Sequence, residues 1–520
     1  MNHLLHPEAD KEFAGAIPLK VISLKNYFAL IGLGFLGVVS TQAQMQPMSG
    51  PVVMPWVQKQ ANLVIPYGVT VIGSIAYEGH GQLTHVKLPD SLKSIEFGAF
   101  SHCYNLTDII IPASVTNIGE VAFTGCVRMT KIIVDPSNSV YSSVDGVLFN
   151  KDRTELITCP GGKTGNYVIP DGVIELDDNA FHEAEHLAGV TIPNSVTTIE
   201  SHSFYGCTAL TNISIGKNVS TIVDDGDEWI TFSECPNLAS INVDLRNPTY
   251  SSVDGVLYKN NNTVLVKYPE AKVGNFKVPN SVTEIENHSF PRSLHLTSIS
   301  MGDNIKIIET HTFENCFGLT NVLFDKKLKD IGDAAFASCT NLTSVKIPDD
   351  VTDIGDSAFY GCANVTTVTI GKKVISIGDG CFSDCRNLKA IIVNKDNSTY
   401  GAADGVLFNK RDSAIVKCPE GKTGSYTIPD GIVKIMGFEF STLTNIIVPK
   451  SVKTIEGQAF LNSRVVAIYF EGNAPKITGL PRHADELAFA DCGNLIIYYR
   501  PGTKGWKAEF AGLPTAVWKK

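Results

Sequence analysis

The sequence predicts a single repeat solenoid, a parallel β stack of about 17 coils. The three or four globular domains that 520 residues would ordinarily make are not expected. Three observations predict it. Phenylalanine recurs at Phe100 and Phe123, at Phe181 and Phe204, and at Phe290, Phe313, Phe336, Phe359 and Phe382, with a step of 23 inside each group. The last apolar residue of an L-x-x-I-x-I run recurs seventeen times from Ile65 to Phe470, mostly at the same step, with Ile215 to Val243 at 28, Ile428 to Val448 at 20 and Val448 to Phe470 at 22. Three intervals are 35 residues long instead, and those three stretches resemble one another (134–169, 243–278 and 393–428).

Composition narrows the class. Hydrophobic residues make up 43% and charged residues 18%, so the chain is neither disordered nor highly charged. The net charge of −10 lacks the basic field that a nucleic-acid binder needs. Twelve cysteines in 520 residues are too dilute for a disulfide scaffold.

The elements follow in chain order. Residues 1–43 read as a signal peptide: the apolar run Tyr27 to Val39 suits an h-region and is short for a membrane span, and Thr41-Gln42-Ala43 places cleavage after Ala43. Glu8, Asp10 and Glu12 are out of place in an n-region, so translation is expected to start at Leu24, with the first 23 residues an over-long gene reading. Residues 44–61 form a leader of the mature protein. The solenoid occupies 62–470 and a closing segment 471–520, where Phe489, Leu495 and Trp506 are placed to cover the last coil.

Within a coil, residues 344–347 form a short strand with Val345 and Ile347 inward and Ser344 and Lys346 outward. Val351 and Ile354 of the next extended stretch also point inward. The A-F-x-x-C stretch reads as one helical turn whose Phe359 and Cys362 cap the core. One coil cannot bury its own apolar face, whereas stacked neighbours can. In each 35-residue coil, G-V-L-F/Y, a polar turn and an apolar strand ending in proline predict a β-hairpin (146–160, 255–269 and 405–419) in the place of A-F-x-x-C.

The repeated SVTxIGxxAFxGCxxLTxIxIP pattern resembles the BspA-type bacterial leucine-rich repeat family over roughly residues 62–470. IYFEGNAPKI (468–477) and IIYYRPGTKGW (496–506) look like the closing segment of such proteins. The resemblance implies a leucine-rich-repeat-type stack and an exported or surface-exposed, non-catalytic protein acting by adhesion. Its implied partners are surface or matrix proteins of a host or neighbouring cell; glycans are a further expected partner class. It carries over no site residue.

Candidate chemistry is sparse. His182-Glu183-Ala184-Glu185-His186 satisfies H-E-x-x-H, but it falls on a single turn with no room for the helix a zinc site needs, so a solvated turn is expected. Cysteines recur three residues after the phenylalanine, at Cys103, Cys126, Cys207, Cys235, Cys316, Cys339, Cys362 and Cys385, and Cys492 repeats the spacing after Phe489. Ladder geometry favours buried thiols over disulfides, with Cys381 and Cys385 the best exception. The Asp224 to Glu228 run lacks the ligand spacing of an EF-hand. No catalytic constellation, metal site or cofactor is expected. The candidate binding residues are the outward apolar side chains of the strands: Ile110, Ile133, Leu323, Ile392, Ile447 and Tyr469. The bland alternative is the ordinary β-propensity of isoleucine. The expected function is macromolecular binding or adhesion at the cell surface by a monomer with no membrane span after cleavage. A glycan-binding or hydrolytic surface protein and a structural envelope component are the alternatives.

Overall fold

The computed structural model describes residues 61–223, 231–290, 292–479 and 488–519. The expected signal peptide, residues 44–60 of the leader and the Asp224 to Glu228 run lie outside them. The described chain is a parallel β-solenoid of about 18 turns. Each coil contributes a front strand, a two-residue corner strand and a stretch of turns. In a representative coil the front strand Ser344–Lys346 pairs in parallel with Thr367–Ile370, and the corner strand Asp353–Ile354 lies between Asp330–Ile331 and Ser376–Ile377. Val345, Ile347, Val351 and Ile354 are buried, while Ser344 and Lys346 are exposed. Period-two alternation therefore sets which side chains make the core.

The A-F-x-x-C stretch is not a helical turn, and no helix occurs among the described residues. Two residues four apart take a left-handed backbone in the described stretches, for example Ala334 (φ 49°) and Ser338 (φ 57°), then Ser357 (φ 54°) and Gly361 (φ 68°). The N–H groups alternate in direction. Phe336 N donates to Ala358 O in the next coil (2.8 Å), Ala337 N to Ala334 O in its own turn (3.0 Å), and Ser338 N to Tyr360 O in the next coil (2.6 Å). A helical turn would keep these donors within the segment. Sending every other one to the neighbour ties successive coils together and stacks the phenylalanines; the Phe336 and Phe359 ring centroids are 5.2 Å apart with planes 2° from parallel. The cysteine thiols join the same ladder. Cys339 Sγ donates to Phe313 O (3.1 Å), Cys362 Sγ to Phe336 O and Cys385 Sγ to Phe359 O (both 3.2 Å). All twelve cysteines are buried and free, Cys381 and Cys385 included.

The long coils do contain hairpins, but in a different place. Val147–Asn150 pairs antiparallel with Glu155–Thr158, and an additional strand, Tyr141–Val144, pairs antiparallel with Val147–Asn150 to make a three-stranded meander. Glu155–Thr158 then pairs in parallel with the corner strand Glu175–Leu176. The insertion thus sits between the front and corner strands, in the corner layer, rather than replacing A-F-x-x-C. The phenylalanine position of these coils is taken by Cys159, Tyr268 and Cys418, whose N–H groups donate to Ala180 O, Ser289 O and Gly437 O.

Each meander interrupts both ladders and supplies substitutes for the bonds it displaces. The tip glycine carbonyls of Gly146, Gly255 and Gly405 accept from Ile132, Ile241 and Ile391 N of the preceding front strand (2.8–2.9 Å). The Tyr141 and Tyr250 hydroxyls accept from Ile118 and Ile222 N of the corner ladder (2.9 and 3.0 Å). Asn138 Nδ2 donates to Pro112 O and Val115 O, both at 2.9 Å. No buried strand edge at these junctions is left as an open row of donors.

The meander also partitions the interior. The buried apolar residues form four clusters whose limits fall in the meanders. Leu148 faces the core that begins at Leu63, while Val147 and Phe149 face the next one. Leu257 closes that second core, and Val256 and Tyr258 open the third. Leu407 and Val406 repeat the arrangement between the third and fourth. A strand buried on both faces acts as a septum between consecutive cores.

The stack does not stop at Phe470, so it exceeds the 17 coils read from the sequence. Ile496–Tyr499 pairs with Ala467–Phe470, and Leu513–Val517 pairs with Ile496–Tyr499, both in parallel. Only Glu509–Phe510, antiparallel to Leu513–Val517, departs from the pattern at the edge. Phe489 and Leu495 are buried in the last core, and Trp506 stacks on Tyr499 (5.3 Å between ring centroids, planes 6° apart).

Candidate binding surface

The outward side chains of the front strands form rows, one residue per coil, because parallel pairing in register places equivalent positions side by side. Ile110 and Ile133 are direct register partners and are 57% and 41% exposed. Leu323 (57%) is the register partner of Ser300, and Ile392 (51%) of Thr369. Ile447 and Tyr469 are also register partners, but both are only half-buried rather than exposed. Tyr469 stacks on Tyr498 (4.9 Å between centroids, planes 13° apart) and tilts against Trp518 at 5.1 Å, and the Arg500 guanidinium lies 3.8 Å over the Trp518 ring. These aromatic faces are largely spent on one another. Ile392 and Ile447 belong to separate sheet segments, since the front sheet is interrupted between Ala390–Val393 and Gly424–Thr427. The candidates are therefore distributed over several patches.

Sequence reasoning missed Val64 and Val168, the most exposed aliphatics of the same rows at 65% and 66%. Both lie on the first described strand of a sheet segment, Asn62–Val64 and Gly165–Val168, one residue before the inward Ile65 and Ile169. The alternation rule would have found them.

The H-E-x-x-H stretch is a turn, as expected, but it is not solvated throughout. His182 is buried, with Nδ1 2.7 Å from Asn179 Oδ1 and its ring 5.0 Å from that of Tyr205 in the next coil. Burial pulls its pKa down to about 4. Glu183 has a left-handed backbone (φ 55°), and its carboxylate lies 3.5 Å from His102 Nε2. Burial, the largest single influence, would push the Glu183 carboxyl up, but the hydrogen bond to His102 together with the charges of His182 and His102 holds it below its usual range. His186 is exposed. Among the described residues, no group of three or more His, Cys, Asp or Glu side chains is placed to hold a metal ion. Burial pushes the Cys103, Cys385 and Cys418 thiols up to about 12, far from the range of a nucleophile.

The description of the BspA type leucine rich repeat region, in six copies, matches residues 57–164, 161–271, 267–389 and 416–497. The chain belongs to the BspA-type leucine-rich repeat family. The matches run through the first two meanders and overlap at or just after their ends, and the gap from 389 to 416 falls at the third long coil. Among solved structures, a leucine-rich cell surface protein from Faecalibacterium prausnitzii is 30% identical, with 65% of this chain and 89% of that one covered and a TM-score of 0.50. The pneumococcal vaccine antigen PcpA is 19% identical over 74% of this chain and 78% of its own, with a TM-score of 0.39. A leucine-rich repeat protein from Eubacterium ventriosum is 23% identical over 58% and 82%, with a TM-score of 0.35. No curated protein matches the chain. Neither the BspA-type match nor the likeness to the Faecalibacterium prausnitzii cell surface protein indicates an enzymatic family.

Proposed function

We propose that this BspA-type protein is exported through its N-terminal signal peptide and binds macromolecules at the cell surface, without catalysis, through the front face of its stack. The observation that carries this reading is the set of aliphatic side chains held out from a regular sheet: Ile110 and Ile133 side by side, and Val64, Val168, Leu323 and Ile392 along the same rows. Exposed aliphatics on a rigid repeat surface gain by burial against a partner, roughly 25 cal/mol per Å² of apolar area removed from water. Membership in the family and likeness to a leucine-rich cell surface protein support the location. The partners proposed are surface or matrix proteins of a host or neighbouring cell. Specific binding needs roughly 600–1,000 Å² per side, which spans several coils, so no single residue carries it.

The test is capture by the mature protein, beginning at Gln44, from panels of matrix and cell-surface proteins, followed by affinity measurement with the variants Ile110→Thr/Ile133→Thr and Ile392→Thr. Each is expected to weaken binding at least severalfold with an unchanged unfolding midpoint. Ile391→Ser, which faces the core, should lower the midpoint instead. Normal binding by both surface variants would place the site elsewhere.

A further inference from the structure

A cleft of about 620 Å³ opens at the ends of the four front strands Gly165–Val168, Leu187–Thr191, Asn212–Ile215 and Ser240–Val243. Its chemistry differs from that of the aliphatic patches. The outward row above it runs Val168, Thr191, Ser214 and Asn242. The strand-end loops contribute the Asn194 amide and the carboxylates of Asp171 and Asp244, one toward each end of the cleft. Apolar contact comes from the Pro170 and Pro193 rings and the exposed Val168. No lysine, arginine or histidine lines it.

The same location in the segment Ser344–Lys346, Thr367–Ile370 and Ala390–Val393 is spanned by a hydrogen bond that this cleft lacks. The two stretches correspond residue by residue: Ile192-Pro193-Asn194 to Ile347-Pro348-Asp349, Ile215-Gly216-Lys217 to Ile370-Gly371-Lys372, and Val243-Asp244 to Val393-Asn394. In both, the side chain after the proline accepts the lysine N–H of the next coil, Asn194 Oδ1 from Lys217 N and Asp349 Oδ1 from Lys372 N, both at 3.0 Å. Asn394 Nδ2 then reaches across two coils to Asp349 Oδ1 (2.9 Å), bridging the notch. With the amide and carboxylate exchanged, that bond is not made. Asp244 turns instead to its neighbour Arg246, with Nε to Oδ1 at 3.0 Å and Nη2 to Oδ2 at 2.8 Å, and the notch stays open.

We propose that this cleft binds a neutral, hydroxyl-rich chain, a glycan. Hydroxyl and amide groups at Thr191, Ser214, Asn194 and Asn242 both donate and accept, as sugar hydroxyls do, and a carboxylate accepts from two adjacent hydroxyls. The proline rings and Val168 suit the C–H faces of a pyranose. Arg246 is spent on Asp244, and no lysine, arginine or histidine lines the cleft itself, so a phosphate, sulfate or uronate would find no free cation in its lining. The proposal extends the reading of the front face as a binding face to a second ligand class at a separate place.

The experiment is calorimetric titration of the full chain with neutral hexasaccharides (maltohexaose, cellohexaose, mannohexaose and chitohexaose) and with hexagalacturonate. At least one neutral sugar is expected to bind, with hexagalacturonate at least tenfold weaker. Asn194→Asp/Asp244→Asn recreates the closing pair and should cost at least tenfold at an unchanged melting temperature. Thr191→Val/Ser214→Ala, confined to surface hydroxyls, should also weaken binding and serves if the first variant folds poorly. Sugar binding is read directly, so it stands or fails independently of protein capture. No binding by any neutral sugar, wild-type binding by both variants, or equal affinity for hexagalacturonate would overturn the proposal.

Discussion

The septum makes a directional prediction. Leu257 and Tyr258 are adjacent in one strand, both almost completely buried, yet they line different cores. Leu257→Ala removes three carbons from the core shared with Leu210, Ile213 and Ile241. At about 0.8 kcal/mol per buried methylene the transfer loss is about 2.4 kcal/mol, and the residual cavity raises the total to about 3–5 kcal/mol. Tyr258→Ala empties the neighbouring core, beside Phe290, Leu296 and Ile299, at a cost of about 3–5 kcal/mol. In a quasi-one-dimensional stack such losses stay local. Hydrogen exchange with peptide-level resolution should therefore show Leu257→Ala deprotecting Asn212–Ile215 while Leu296–Ser300 keeps its protection, and Tyr258→Ala doing the reverse. Equal loss on both sides for both variants would refute the septum and imply one undivided core.

Two further predictions follow from the interior. With Cys103 and Cys385 near pKa 12, only on the order of one thiol in 10⁴ is thiolate at pH 8, so a thiol reagent should label no cysteine in the native protein within minutes and all twelve after unfolding; each disulfide would lower the unfolded count by two. The His288 ring stacks on His311 at 4.9 Å, and burial first, then the nearby His311 and Lys267, pull its pKa down to about 4, with Glu314 opposing. A folded pKa below the unfolded value of about 6.5 means that stability from this site is full above pH 6.5 and is lost as the pH falls toward 4, by on the order of 1–2 kcal/mol after solvent screening. Glu270, raised to about 7 chiefly by burial, acts oppositely and gains over the same range. The clean measurement is the difference between wild type and His288→Asn in urea midpoints from pH 7.5 to 4.5. A difference that does not change with pH would show that the histidine contributes nothing to the acid limb.

The solenoid was legible because its cause is periodic. Inward residues must recur once per coil, and Phe313, Phe336 and Phe359 do so at steps of 23. The turn stretches were misread as helical because Ala334 and Val121 occupy left-handed positions that neither residue type announces, and inter-coil hydrogen bonds decide the matter against local propensity. The hairpins were recognised from their own turn residues, but their layer depends on pairing with Glu175–Leu176, a partner chosen by the fold. His182 was expected in solvent because the Tyr205 ring that covers it arrives from the next coil. At the candidate surface, Ile110, Ile133, Leu323 and Ile392 followed directly from alternation. The half-buried state of Tyr469 did not, since Tyr498 and Trp518 come from the sheet's continuation beyond Phe470.

The septum strands have a genealogical consequence. Val147-Leu148, Val256-Leu257 and Val406-Leu407 present equivalent faces, each preceded by an Asp-Gly tip with left-handed backbone at both residues. A crossover between any two of these points, such as Gly146 joined to Val256, would rejoin a finished core to a properly lined new one, with the same tip and the same alternation. Such a chain can lengthen or shorten in whole compartments while every surviving interior keeps its own walls, and the surfaces carried by those compartments can be gained, lost or reordered as units of inheritance.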